Sequence, residues 1–135
     1  MEKLAILVVE DTPDILDVVC LLLEQEGYTA YKAETCSRAF GLLQQHRIDL
    51  IITDLMLPEM TGLEFIYKVR RVANYDSVPL IAMSAFEQKY LAVAAQAGAA
   101  RILHKPEELD LLVPIVNQLL RDRASRSSQS ASAST

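Results

Sequence analysis

The sequence predicts an α/β fold in which a parallel sheet carries helices on both faces. Three observations predict it. Five short apolar runs recur along the chain, five amphipathic segments alternate strictly with them, and 135 residues suit one domain with one core. The first run, Leu4–Val9, is aliphatic without polar alternation, as a strand buried on both faces requires. Thr12-Pro13 then places a capping hydroxyl ahead of a proline at the first helical position. Tyr28–Ala33 alternates and reads as an edge strand, and Thr35 caps a second helix through about Gln45. Ile48–Thr53 is another doubly buried strand, after which Thr61-Gly-Leu-Glu64 fits a capping box opening a third helix that ends near Arg71. Val78–Met83 is the fourth strand. A fourth helix, from about Glu87 to Ala97, stops at Gly98, a natural residue just past a helix end. Arg101–Leu103 is the fifth strand. The fifth helix starts near Glu107–Asp110, where acidic residues favour its dipole, and reaches about Arg121. Pro114 belongs in its first turn or two, or bends it. The domain is therefore expected over 1–121, and the Ser- and Ala-rich stretch 122–135 is expected to be disordered.

Composition narrows the function. The net charge is −5, with 10 basic and 17 acidic side chains in residues 1–120 against 3 and 1 in residues 121–135. An acidic body argues against direct nucleic-acid binding, because phosphate contacts need a basic face. No apolar run approaches the length of about 20 residues that spans a bilayer, so membrane insertion is not expected. Met1-Glu2-Lys3 lacks the basic start of a signal peptide, and the expected location is cytoplasmic. Cys20 and Cys36 fall in predicted helices and read as two reduced thiols. His46 and His104 read as packing or surface residues, not metal ligands.

In a parallel sheet every strand exits on the same rim, which is where such folds bind ligands. The first strand is followed by Glu10-Asp11, the third by Asp54, the fourth by Ser84 and the fifth by Lys105-Pro106. Each alone is an ordinary turn, cap or surface residue. Together they bring three carboxylates, a hydroxyl and an ammonium to one place. Neighbouring carboxylates repel by about 4 kcal/mol at 4 Å and an effective dielectric near 20, so such a cluster calls for a cation. An oxygen-only set suits a hard ion, Mg²⁺ first, which takes one or two carboxylates plus phosphate oxygens. The missing ligand is then a phosphoryl group. Asp54 is the candidate acceptor, with Mg²⁺, Lys105 and Ser84 placed to neutralise the three equatorial oxygens of the moving group.

Over residues 4–121 the chain resembles the receiver domains of two-component response regulators. The matching residues are Glu10-Asp11, the stretch from Asp54 through Pro58 to Gly62, Ser84-Ala85, Gly98-Ala99 and Lys105-Pro106. The resemblance implies a stand-alone phosphoacceptor of flavodoxin-like (βα)5 three-layer architecture with strand order 2-1-3-4-5. It implies that Asp11, Asp54 and the Met56 carbonyl bind Mg²⁺ directly, that Glu10 acts through water, and that the Lys105–Pro106 bond is cis. It further implies that Asp54 takes its phosphoryl from a histidine kinase or phosphotransfer protein docking near Ile15 and Val18. The downstream protein target would then read the fourth helix, fifth strand and fifth helix. Such a protein catalyses only its own phosphorylation and dephosphorylation.

Some positions depart from the family pattern. Ile102 stands three residues before Lys105, where the family carries Tyr or Phe as the aromatic partner of the Ser84 switch. Coupling from Ser84 to the distal face is therefore expected to be weaker or differently routed. Glu107 replaces a frequent Phe. Met56 and Phe86 lie two residues after Asp54 and Ser84, and neither can orient a water, so slow self-hydrolysis is expected. Two alternatives stay open: an interaction module indifferent to phosphorylation, and the front end of a longer regulator. A metabolic phosphatase of the haloacid dehalogenase type would want an Asp where Met56 stands, and no glycine-rich phosphate loop is present.

Overall fold

The computed structural model describes residues 3–84, 95–105 and 107–133, with side chains to residue 126. Five strands, β1 (Ala5–Val9), β2 (Thr29–Ala33), β3 (Leu50–Asp54), β4 (Leu80–Ser84) and β5 (Arg101–His104), form one sheet in the order β2-β1-β3-β4-β5. Every pairing is parallel. The helices are α1 (Pro13–Gln25), α2 (Cys36–Gln45), α3 (Gly62–Arg70), helical residues 95–97 (α4) and α5 (Leu112–Ala133). The expected (βα)5 sandwich is the observed one.

The aliphatic strands explain the layering. Side chains alternate across a strand, so Ile6 and Val8 face α1 and α5, while Leu7 and Val9 face α2 and α3. In β3, Leu50 and Ile52 take the first side and Ile51 the second. Leu16, Val19, Cys20 and Leu23 of α1 and Leu112, Ile115, Val116 and Leu120 of α5 close one core. Cys36, Ala39 and Leu42 of α2 and Phe65, Ile66 and Val69 of α3 close the other. Burial pushes both the Cys20 and Cys36 thiols up to about 11. Both are free. Ellman's reagent at pH 8 should therefore leave them unmodified in the folded protein and label both once guanidinium unfolds it; rapid labelling of the native state would contradict this packing.

Caps follow the sequence with one correction. The Thr35 and Thr61 hydroxyls accept hydrogen bonds from the Arg38 and Glu64 amides at 3.1 and 3.2 Å. Thr12 occupies the cap position of α1, but its side chain makes no capping bond there. Pro13 offers no N–H, and Glu10 Oε1 accepts the Thr12 amide at 3.3 Å. Pro114 falls at the third position of α5, within the first turn, where its missing N–H leaves no helical bond broken.

The fifth helix exceeds its expected end. It was expected to reach about Arg121, and it continues to Ala133. Residues 122–133 contain no Gly or Pro, so nothing in the chain terminates propagation. Arg123 also ties this part of the helix to the sheet, its guanidinium donating to the Asp49 carbonyl at 2.7 Å.

At the rim where the strands begin, Arg70 of α3 donates to the carbonyls of Tyr75, Val78 and Gly98 at 3.0, 2.6 and 2.7 Å. It thereby holds the entries to β4 and β5. Burial lowers the pKa of this guanidinium, while Asp76 opposes the shift. Gly98 sits at φ 118°, a left-handed conformation suited to the expected helix stop. Most of the expected fourth helix, including Tyr90, Val93 and Ala94, lies outside the described residues, as do Phe86 and Pro106. No described helix is long and apolar enough to cross a membrane.

Candidate functional site

The site lies at the exit rim, and backbone hydrogen bonds between strand ends assemble it. Leu55 N–H donates to the Met83 carbonyl at 2.9 Å, which sets Asp54 beside the end of β4. Lys105 N–H donates to the Ser84 carbonyl at 2.9 Å, which brings the end of β5 to the same place. Glu10 N–H donates to the Ala33 carbonyl at 3.0 Å and fixes the exit of β1. Local sheet register, not side-chain attraction, therefore delivers the polar groups.

Lys105 is the centre of the arrangement. Its ammonium donates to Glu10 Oε2 and to Asp54 Oδ2, each at 2.9 Å. Glu10 is fully buried and Lys105 only 9% exposed, so these ion pairs are shielded from solvent. Burial alone would lower the pKa of the Lys105 ammonium, but hydrogen bonds to Asp54 and Glu10 hold it above its ordinary value. Burial, reinforced by the nearby Asp54 charge, raises the Glu10 carboxyl against the opposing pull of Lys105. Asp11 is exposed. Its carboxylate joins those of Glu10 and Asp54, one oxygen from each lying within 4.8 Å of the others. Among the described residues one ammonium thus meets two members of a three-carboxylate cluster, and the surplus of negative oxygen suits a small hard cation.

The loop after β3 shapes the acceptor. Met56 N–H donates to Asp54 Oδ1 at 3.1 Å, while the Met56 side chain is 54% exposed. Met56 pairs with Thr61 across this loop, and Gly62 N–H donates to the Leu55 carbonyl at 2.9 Å. A Cβ at Gly62 would lie 2.5 Å from the Asp54 carbonyl oxygen and closer still to Leu55 Cα. Only glycine allows this approach. Gly62 directly follows the helix cap Thr61 and stands eight residues from the acceptor, which is the signal in the sequence for this positioning role.

The rim thus gathers the expected Glu10, Asp11, Asp54 and Lys105, and Ser84 lies buried at the end of β4. Ile102 is not part of the cluster. It pairs with Ala82 across the sheet and packs, half-buried, against the core on the α2–α3 side. His46 stacks on Tyr31 with ring centroids 4.3 Å apart, consistent with a packing role.

Residues 6–117 match the family model of the response regulator receiver domain. The chain belongs to that family. A Leptolyngbya boryana protein of 14.6 kDa, named from its place in the sodA1 3′ region and described as uncharacterized, is 33% identical over 119 residues; the match covers 87% of this receiver and 91% of that protein. Response regulator Rre1 of Synechocystis is 33% identical over 135 residues, 98% of this receiver but 58% of Rre1. The receiver therefore spans little more than half of that relative. Among solved structures, chemotaxis protein CheY4 of Vibrio cholerae superposes with a TM-score of 0.82 at 27% identity, covering 87% of this receiver and 99% of CheY4. The flavodoxin-like order expected from the sequence is thus the family's own, and the receiver is a signalling domain of two-component systems.

Proposed function

We propose that this receiver is a phosphoacceptor whose Asp54 takes a phosphoryl group from a histidine on a partner kinase or phosphotransfer protein. The observation that carries the proposal is the Lys105 ammonium held at 2.9 Å from both Glu10 and Asp54, beside the exposed Asp11. An Asp54 oxygen forms the new bond to phosphorus while the bond from phosphorus to the donor's imidazole nitrogen breaks, and the imidazole leaves neutral. Lys105 donates to the acceptor at Oδ2 and meets the negative oxygens of the transferring group. Ser84 offers its hydroxyl to the same oxygens, and the Met56 amide orients the acceptor through Oδ1.

Glu10, Asp11, Asp54 and the Met56 carbonyl are the residues that would hold Mg²⁺. The ion supplies Lewis-acid neutralisation of phosphoryl charge. The exposed Val18 and half-buried Ile15 of α1 lie on the element that follows the acidic pair, where a donor protein would reach Asp54. In this account the phosphorylation state shifts a two-conformation balance by about 1–3 kcal/mol and is read by a protein target on the fourth helix, β5 and α5 in the cytoplasm.

Adding Mg²⁺ should raise Tm, by up to about 2.7 kcal/mol of stability at a hundredfold excess over Kd. Beryllofluoride should then shift the amides following Asp54 and Ser84. Asp11→Ala should lose both responses. An unchanged Tm and spectrum in the wild-type protein would reject the proposal. A second reading, an interaction module indifferent to phosphorylation, is favoured by Ile102, an aliphatic side chain packed against the core at the position expected for the switch aromatic. Equal target affinity of wild type and Asp54→Ala, with and without phosphodonor, would select it.

A further inference from the structure

The rim opposite Asp54 carries a cavity of about 550 Å³ between the α2–β3 connection, the α3–β4 connection and α5. Its size lies within the range of about 300–1,000 Å³ typical of small-molecule sites. Leu43, Ile48 and Val72 give it apolar walls, and Asn74, in a left-handed conformation at φ 77°, lines its edge. The two charged side chains that line it are both cationic, Arg47 and Arg123, in a protein whose net charge is −5. These two guanidiniums share one carboxylate. Arg47 Nε lies 3.5 Å and Arg123 Nη1 4.0 Å from the same Asp49 Oδ1, while Asp49 Oδ2 is committed to the Ala5 amide at 2.8 Å. The Arg47 side chain is 86% exposed, so most of its donors face solvent. A second, smaller cavity of about 190 Å³ shares Arg47 and Arg123 as lining.

We infer that this cavity binds a small organic anion, with a phosphate or carboxylate on the Arg47–Arg123 pair and an apolar body against Leu43, Ile48 and Val72. Two planar forks exceeding the local negative charge by one suit such a group, which they can clasp with paired hydrogen bonds. The apolar walls add affinity that a bare inorganic anion would not gain. β3 separates this site from the phosphoacceptor by its whole length, so the inference stands apart from the function proposed above.

The test is an NMR titration of the full chain in metal-free buffer with adenosine monophosphate, phenyl phosphate and benzoate. At least one should shift the amides of residues 43–48 and 72–75 saturably with Kd below about 1 mM, and adenosine or phenol should bind at least about tenfold more weakly. Arg47→Glu, which also gives up the ion pair with Asp49, should weaken binding at least about tenfold while its spectrum stays that of the folded protein. Arg123→Ala should weaken binding as well, its fold being checked by the same spectra. The inference is overturned if none of the three anions saturates below about 1 mM, if the uncharged bodies bind equally well, or if Arg47→Glu binds like wild type.

Discussion

Lys105→Met should slow phosphoryl gain at Asp54 by about 100-fold while leaving the fold in place. Lys105 is the one cation within hydrogen-bond reach of both Glu10 and Asp54 among the described residues. Methionine fills a similar volume without charge, so packing survives and electrostatics do not. Removing the ammonium leaves the fully buried Glu10 facing Asp54, and Glu10, whose pKa burial already raises, takes up a proton more readily. Single-turnover phosphorylation with acetyl phosphate measures the effect. A rate within about threefold of wild type would show that the observed ion pairs do not act on the transferring group. Lys105→Arg distinguishes charge from geometry, because the larger planar guanidinium keeps the charge but cannot occupy the same enclosed point between two carboxylates.

Gly62→Ala should destabilise the protein by about 2–3 kcal/mol and slow phosphorylation as well. The added methyl carbon meets backbone, not a flexible side-chain end: the Asp54 carbonyl oxygen stands at 2.5 Å and the Leu55 carbonyl carbon at 3.0 Å. Relief requires moving the strand end that presents the acceptor. Gly41 provides the control, since a Cβ there meets nothing within 4 Å and lies in the interior of α2, where Ala is the better helix former. Denaturant unfolding should show Gly41→Ala neutral or stabilised and Gly62→Ala strongly weakened. Equal stability of the two variants would refute the steric account.

The rim chemistry was legible because each polar residue stands at or just past the end of a largely aliphatic strand. Where the run ends, the strand ends, and parallel pairing brings the ends together; Glu10, Asp11, Asp54, Ser84 and Lys105 are all of this kind. The alternation of Ile6 and Val8 with Leu7 and Val9 between two cores was equally readable, because it needs only the two-residue period of a strand. What escaped depends on partners far apart in sequence. Arg70 reaches Gly98, and Arg123 reaches Asp49, through contacts that no local pattern announces. The unused hydroxyl of Thr12 escaped for a different reason. Capping preference is a statement about residue type and does not by itself close the bond to a first-turn amide. The length of α5 escaped because serine-rich composition signals little burial, while helix propagation needs only the absence of a breaker and an anchored first half.

The most direct test of the central claim is intact-protein mass spectrometry after incubation with acetyl phosphate and Mg²⁺. The wild-type chain should gain a single phosphoryl group, hydroxylamine should remove it as expected for an acyl phosphate, and Asp54→Ala should gain none. A wild-type protein that stays unmodified, or an Asp54→Ala variant phosphorylated to the same extent, would contradict the assignment of Asp54 as the acceptor.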